Sequence, residues 1–145
     1  MDIISSKSPL MDIHLLVLDK DQHQYELLSH NLRHLGFKLF HAVDVESVIA
    51  LAKDYRLDMI IYNWMLEKIS GIHLCRSLKN NEITRQIPIL LLNGANEEFD
   101  ISSLLDAGFE SIISKPFTQK ELISSIRAIL RRTNTKSVSE TMFFK

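Results

Sequence analysis

The sequence predicts an α/β fold: a doubly wound, five-stranded parallel sheet sandwiched by five helices. Two observations carry that prediction. Three short runs, Leu15–Leu18, Met59–Tyr62 and Ile87–Leu92, are apolar on every residue instead of on alternate ones, which marks strands buried on both faces. Between them lie segments of helical period, so that strand and helix alternate along the chain. Right-handed crossovers then distribute the helices over both faces of one sheet.

Each element has its own signal. After Leu15–Leu18, Asp21 caps a helix over Gln22–Leu35 whose Tyr25, Leu28, Leu32 and Leu35 share a face, and Gly36 ends it. Lys38–Ala42 reads as a weaker strand. Asp44 caps Val45–Tyr55, which gathers Val45, Val48, Ile49 and Ala52. Ile72–Lys79 follows the third strand with Ile72, Cys75 and Leu78 together. Glu98–Ala107 is a helix before Gly108, and Ser111–Ser114 a fifth strand. Thr118-Gln-Lys-Glu121 is a capping box opening a helix to about Arg132.

Composition bounds the function. A chain of 145 residues with 46% hydrophobic residues and a mean hydropathy of +0.01 suits one domain with a real core. A net charge of −1 argues against a surface that tracks nucleic acid throughout. The single Cys75 excludes an intrachain disulfide and a cysteine-based zinc cluster, which fits a reducing compartment. No apolar run approaches a membrane span or a signal-peptide core, so a soluble, cytoplasmic domain with no membrane association is expected. Charge is uneven: Lys115–Lys145 holds seven basic and two acidic residues, the first 114 residues ten and sixteen. Arg127, Arg131 and Arg132 complement the dipole of the last helix; a basic arm leading to another domain is the alternative.

In doubly wound folds ligands sit at the carboxyl ends of the strands. Those ends read Asp19-Lys20-Asp21, Asn63-Trp-Met65-Leu-Glu67, Asn93-Gly94 and Lys115-Pro116-Phe117. The stretch YNWMLEKISGIHLCRSLKNNEITRQIPILLLNG, followed by SIISKPFTQKELISSIRAILRR, resembles a response-regulator receiver domain of flavodoxin-like order. It is most similar to the receivers that precede winged-helix DNA-binding domains, and the resemblance runs over roughly Met11–Arg132. It implies a receiver over residues 12–132, an N-terminal extension over 1–11, and over 133–145 a linker or the start of a missing effector domain through which any DNA contact would pass. It also implies a cis Lys115–Pro116 bond.

The resemblance further implies which residues should matter. A working receiver carries a phosphoacceptor aspartate after its third strand and holds Mg²⁺ with that aspartate, an acidic pair after the first strand and a backbone carbonyl. A hydroxyl after the fourth strand and a lysine after the fifth then hold the phosphate. Here the phosphoacceptor position is Asn63, whose amide gives no acyl phosphate. The acidic pair becomes Asp19 and Lys20, followed by Asp21. The carbonyl position is Met65, the hydroxyl position Asn93 and the aromatic switch position Ile112, while Lys115 and Pro116 are retained.

A unit charge about 4 Å from a dication interacts by roughly 8 kcal/mol at an effective dielectric near 20, so Lys20 reverses a large term unless it turns to solvent. The expectation is a degenerate, atypical receiver that binds no Mg²⁺, needs no cofactor, performs no catalysis and regulates transcription independently of phosphorylation. Lys20 is expected to pair with Asp19 or to bond Asn63.

The subfamily's dimer face, formed by the fourth helix, fifth strand and fifth helix, keeps Asp106, Glu110, Lys120 and Arg127, with serines where charges are usual. A homodimer more apolar than normal is therefore expected. The alternative is a stand-alone adaptor that binds a kinase or another regulator. An enzyme or flavin binder is disfavoured, because the strand ends offer no nucleophile–base pair and no glycine-rich phosphate loop. Three further signals have plainer readings. His23, His30 and His34 fall within about 40° on the first helix, opposite its apolar face; His30 and His34 have the i, i+4 spacing of a two-histidine metal site, but no carboxylate joins them on that face and they read as solvated histidines. Cys75 reads as a core residue, and Asn93-Gly94 is also an ordinary turn pair. Trp64 follows Asn63 as an aromatic often does in the resembled subfamily.

Overall fold

In the computed structural model, residues 12–64, 68–94 and 101–133 are described. Five strands and five helices alternate: β1 (His14–Leu18), α1 (Gln22–His34), β2 (Lys38–Ala42), α2 (Val45–Asp54), β3 (Met59–Trp64), α3 (Lys68–Lys79), β4 (Ile89–Asn93), α4 (Ile101–Ala107), β5 (Ser111–Ser114) and α5 (Gln119–Arg132). Every pairing is parallel, in the order β2-β1-β3-β4-β5, as the apolar runs require.

The side-chain alternation of each strand sorts residues into two separate cores. Leu16, Leu18, Ile60, Ile89 and Leu91 pack with Val48, Cys75, Leu78 and Leu104, so α2, α3 and α4 cover one face. Leu15, Val17, Met59, Ile61, Leu90 and Leu92 pack with Tyr25, Leu32, Leu122, Ile126 and Ile129, so α1 and α5 cover the other. Burying a leucine or isoleucine of this kind is worth about 1.5–3 kcal/mol, and β1, β3 and β4 supply them to both faces.

Caps set the helix boundaries. The Asp21 carboxylate accepts from the backbone N–H groups of His23 and Gln24, and Asp44 from that of Ser47. Thr118 and Glu121 form the reciprocal capping box of α5. Gly36 has φ 104°, the left-handed conformation that lets the chain leave α1.

Four expectations need correction. Leu35 is 41% exposed, because it is the C-cap of α1 and the chain turns there before another helical residue is added. On α2, Leu51 joins Val45, Val48 and Ala52 against the core in the place expected for Ile49. The fourth strand begins at Ile89, not Ile87. Pro88 has no N–H to give a ladder, and Ile87 donates instead to the carbonyl of Thr84 in the preceding turn. α3 also starts at Lys68, a turn before the expected Ile72.

Candidate functional site

Parallel register brings the strand ends together. Leu18 lies opposite Tyr62, Asn63 opposite Leu92, and Asn93 opposite both Trp64 and Ser114. The polar residues that follow β1 and β5 therefore converge on the last residues of β3 and β4.

At the centre is a hydrogen-bonded chain of three side chains. Asn63 is buried and donates from Nδ2 to Asp19 Oδ2 at 2.7 Å. Its Oδ1 accepts from Lys115 Nζ at 2.5 Å. The second Asp19 oxygen accepts from the backbone N–H of Asp21 at 2.9 Å, so this carboxylate is 2% exposed yet bonded through both oxygens. Burial lowers the pKa of the Lys115 ammonium, and the negative charge of Asp19 opposes that shift. Asn63 is the neutral link between a buried anion and a half-buried cation: its amide has a donor for one and an acceptor for the other.

The other predicted positions are arranged around this chain. Lys20 and Asp21 are exposed at the β1–α1 turn. Among the described residues Lys20 takes neither expected role: Asp19 and Asn63 are bonded as described, and the Lys20 charge bears on Asp44. The Asp44 carboxyl is held below its usual range, first by the hydroxyl and backbone N–H of Ser47 and further by the charge of Lys20. Asn93 is buried, its carbonyl accepts from the Lys115 N–H at 2.9 Å, and its Oδ1 is a buried acceptor with no hydrogen-bond donor among the described residues. Ile112 is half-buried in β5 opposite Leu91 and packs against the α2–α3–α4 core. The Lys115–Pro116 bond is cis. Met65, the expected carbonyl position, lies outside the described residues. Of the residues expected on a dimer face, Asp106, Lys120 and Arg127 are exposed and Glu110 pairs with Arg132 at 3.4 Å.

Two features have no motif in the sequence. His41, on the edge strand β2, donates from Nε2 to the carbonyl of Asp19 at 2.8 Å, and its ring stacks on Tyr25 of α1 with centroids 3.9 Å apart and planes 3° apart. A solitary histidine on a weak strand carries no signal for this; only the pairing of β1 with β2, which sets Leu18 opposite Ala42, brings it to Asp19. The second is a cleft of about 240 Å³ between α1 and α5, walled by Leu27, Leu28 and Phe117 and reaching Asn63 and Lys115 at its floor. An Asn31–Gln119 hydrogen bond of 3.2 Å crosses between the helices.

A five-stranded, doubly wound parallel sheet whose carboxyl edge gathers a carboxylate, an amide and a lysine, followed by a cis Lys-Pro turn, defines a receiver-type signalling domain. The chain belongs to the response regulator receiver family: a family profile described as "response regulator receiver domain" matches residues 15–127. It is 34% identical over 119 residues to the phosphate regulon transcriptional regulatory protein PhoB of Pseudomonas aeruginosa, covering 82% of this chain and 52% of that protein. It is 33% identical over 132 residues to the alkaline phosphatase synthesis transcriptional regulatory protein PhoP of Bacillus subtilis, covering 91% of this chain and 54% of that one. The chain thus spans about half the length of these relatives. Among solved structures, a two-component response regulator from Clostridium difficile superposes with a TM-score of 0.71 at 27% identity, covering 85% of this chain and 99% of that one. No helix among the described residues is long and apolar enough to cross a membrane.

Proposed function

We propose that this receiver works without phosphorylation, as the cytoplasmic regulatory part of a transcriptional response regulator. One observation carries the reading: the polar side chain at the carboxyl end of β3 is Asn63, and both ends of its amide are bonded, to Asp19 and to Lys115. An amide oxygen is a poor nucleophile and forms no acyl phosphate. The donor set does not suit Mg²⁺ either. That ion wants several hard oxygens, whereas among the described residues Asp19 is the one buried carboxylate beside Asn63, and Lys20 stands where a second would be. Lys20 is exposed, so its repulsion of a dication is screened. The weight of the argument therefore falls on Asn63 and on the neutral balance of Lys115 with Asp19.

Output then depends on a conformation set by sequence or by a binding partner. Self-association through α4, β5 and α5 fits the surface there: Ile101 is 57% and Leu105 47% exposed on α4, beside the edge strand β5. The relatives' names describe transcriptional regulators, which supports DNA contact through a part of the protein outside this chain.

The test is mass spectrometry after incubation with acetyl phosphate and Mg²⁺. No gain of a phosphoryl group is expected, and a stoichiometric gain removes the proposal. Reverting Lys20→Asp, Asn63→Asp and Asn93→Thr together should create Mg²⁺-dependent beryllofluoride binding. Light scattering across micromolar concentrations tests the dimer, and a monomer throughout favours a stand-alone adaptor over a dimeric regulator.

A further inference from the structure

The chain holds six histidines, three of them on α1. His14 and His41 are bonded through their rings, to the carbonyls of Arg56 and Asp19. His30 and His34 differ. They stand one helical turn apart on the exposed side of α1, with ring centroids 5.0 Å apart and planes tilted by 37°. Each ring is the other's aromatic neighbour, and among the described residues neither imidazole makes a hydrogen bond.

We infer that His30 and His34 form a two-imidazole chelate for a borderline divalent transition ion of the Ni²⁺, Cu²⁺ or Zn²⁺ class. Residues four apart on a helix present their side chains one above the other. Two imidazole nitrogens on successive turns meet one ion at the ordinary metal–nitrogen distance of about 2.0–2.1 Å by rotating exposed side chains. Imidazole selects these metals, whereas Mg²⁺ and Ca²⁺ take oxygen.

The site is open. Among the described residues no group of three or more histidine, cysteine, aspartate or glutamate side chains is placed to hold an ion. Glu26, one turn before His30, is engaged by Gln22 at 2.8 Å and by Arg33 at 3.6 Å. Water completes the coordination shell, and affinity follows the general order in which copper exceeds nickel and zinc.

The location gives the ion a mechanical effect. His34 is the last residue of α1, and Leu32, between the two ligands, is fully buried in the core shared with α5. A bridge from His30 to His34 clips the turn that would otherwise fray first and holds Leu32 in place. An ion that binds the native helix better than the unfolded chain raises the midpoint of unfolding. The inference is independent of whether the receiver accepts phosphate.

The experiment uses the whole chain, freed of metal with a chelator and titrated with NiCl₂ by calorimetry, with MgCl₂ as the control. One site per chain is expected for nickel and none for magnesium. His30→Gln and His34→Gln should each weaken nickel binding by about a hundredfold, the loss expected when a second intramolecular ligand is removed, and should abolish the nickel-induced rise in Tm. His23→Gln and His73→Gln should change neither. In the unsubstituted chain, paramagnetic Ni²⁺ should broaden amide resonances centred on residues 30–34, a readout that no folding defect can imitate. Absence of nickel binding, binding that survives both α1 variants, or broadening centred elsewhere overturns the inference.

Discussion

Lys79 and Lys115 are half-buried lysines at opposite ends of β4, and burial makes both less basic than usual. Their acceptors differ. Lys79 closes α3 and donates to two backbone carbonyls, those of Arg85 at 3.1 Å and Ile87 at 2.7 Å. Its stem is packed so closely under Gly108 that a Cβ there would meet Lys79 Cγ at 2.7 Å. Lys115 donates instead to a side-chain amide that in turn holds a carboxylate. Backbone acceptors are fixed by the fold, so Lys79 is a staple. A side-chain acceptor changes with one substitution or one ligand, so Lys115 stands where chemistry can be altered without rebuilding the domain.

Breaking the staple should have the largest effect. Lys79→Ala leaves two carbonyls without their donor and opens space beneath Gly108, and it should cost about 2–3 kcal/mol in urea denaturation. Gly108→Ala attacks the same contact from the other side. At φ 119° and with that close approach, an added methyl should cost about 2 kcal/mol by the same measurement. Lys115→Met removes one donor from Asn63 in a cleft that is open to water, and a loss near 1 kcal/mol is expected. If Lys115→Met proves as costly as Lys79→Ala, the contrast between staple and site fails.

The smallest effect is in the pH dependence of stability. Lys79 has a lowered pKa in the folded state, so between that value and the ordinary 10.5 the unfolded chain binds a proton that the folded chain has released. Stability contributed by this group therefore rises with pH across that window and is flat well below it. Comparing the parent with Lys79→Met in urea from pH 8 to 10.5 should give a difference that grows with pH. The neighbouring Cys75 thiol, pushed up to about 11 by burial and held back by the Lys79 charge, works in the opposite sense, so the comparison is made in a Cys75→Ala background.

Much of the fold was readable in the sequence because its signals are local. All-apolar runs located β1, β3 and β4, and Asp21, Asp44 and Thr118 announced their helices through cap chemistry that needs only two or three neighbouring residues. Errors arose where the backbone intervened. Periodicity extends α1 to Leu35, but a left-handed Gly36 turns the chain, and Pro88 shortens β4 by removing a donor. At the site, the spacing of the strand ends picked out Asp19, Asn63, Asn93 and Lys115, and the structure gathers all four. The choice of partners was not readable. Lys20 and Lys115 are both cations near Asp19 and Asn63, and only the direction in which each side chain leaves its turn decides which one bonds Asn63. His41 was invisible for a related reason: its contacts run across strand pairing and onto Tyr25 of another element.

The two cores on either side of the sheet share strands but not side chains. In β1, Leu16 and Leu18 face α2–α4, whereas Leu15 and Val17 face α1 and α5. The sheet therefore acts as a partition wall, and substitutions such as Leu104→Ala and Ile126→Ala on opposite sides should combine nearly independently. For a signalling domain this separation has a use. The layer that carries α4 can drift in sequence while the layer of α1 and α5 that walls the Asn63 cleft keeps its own packing intact.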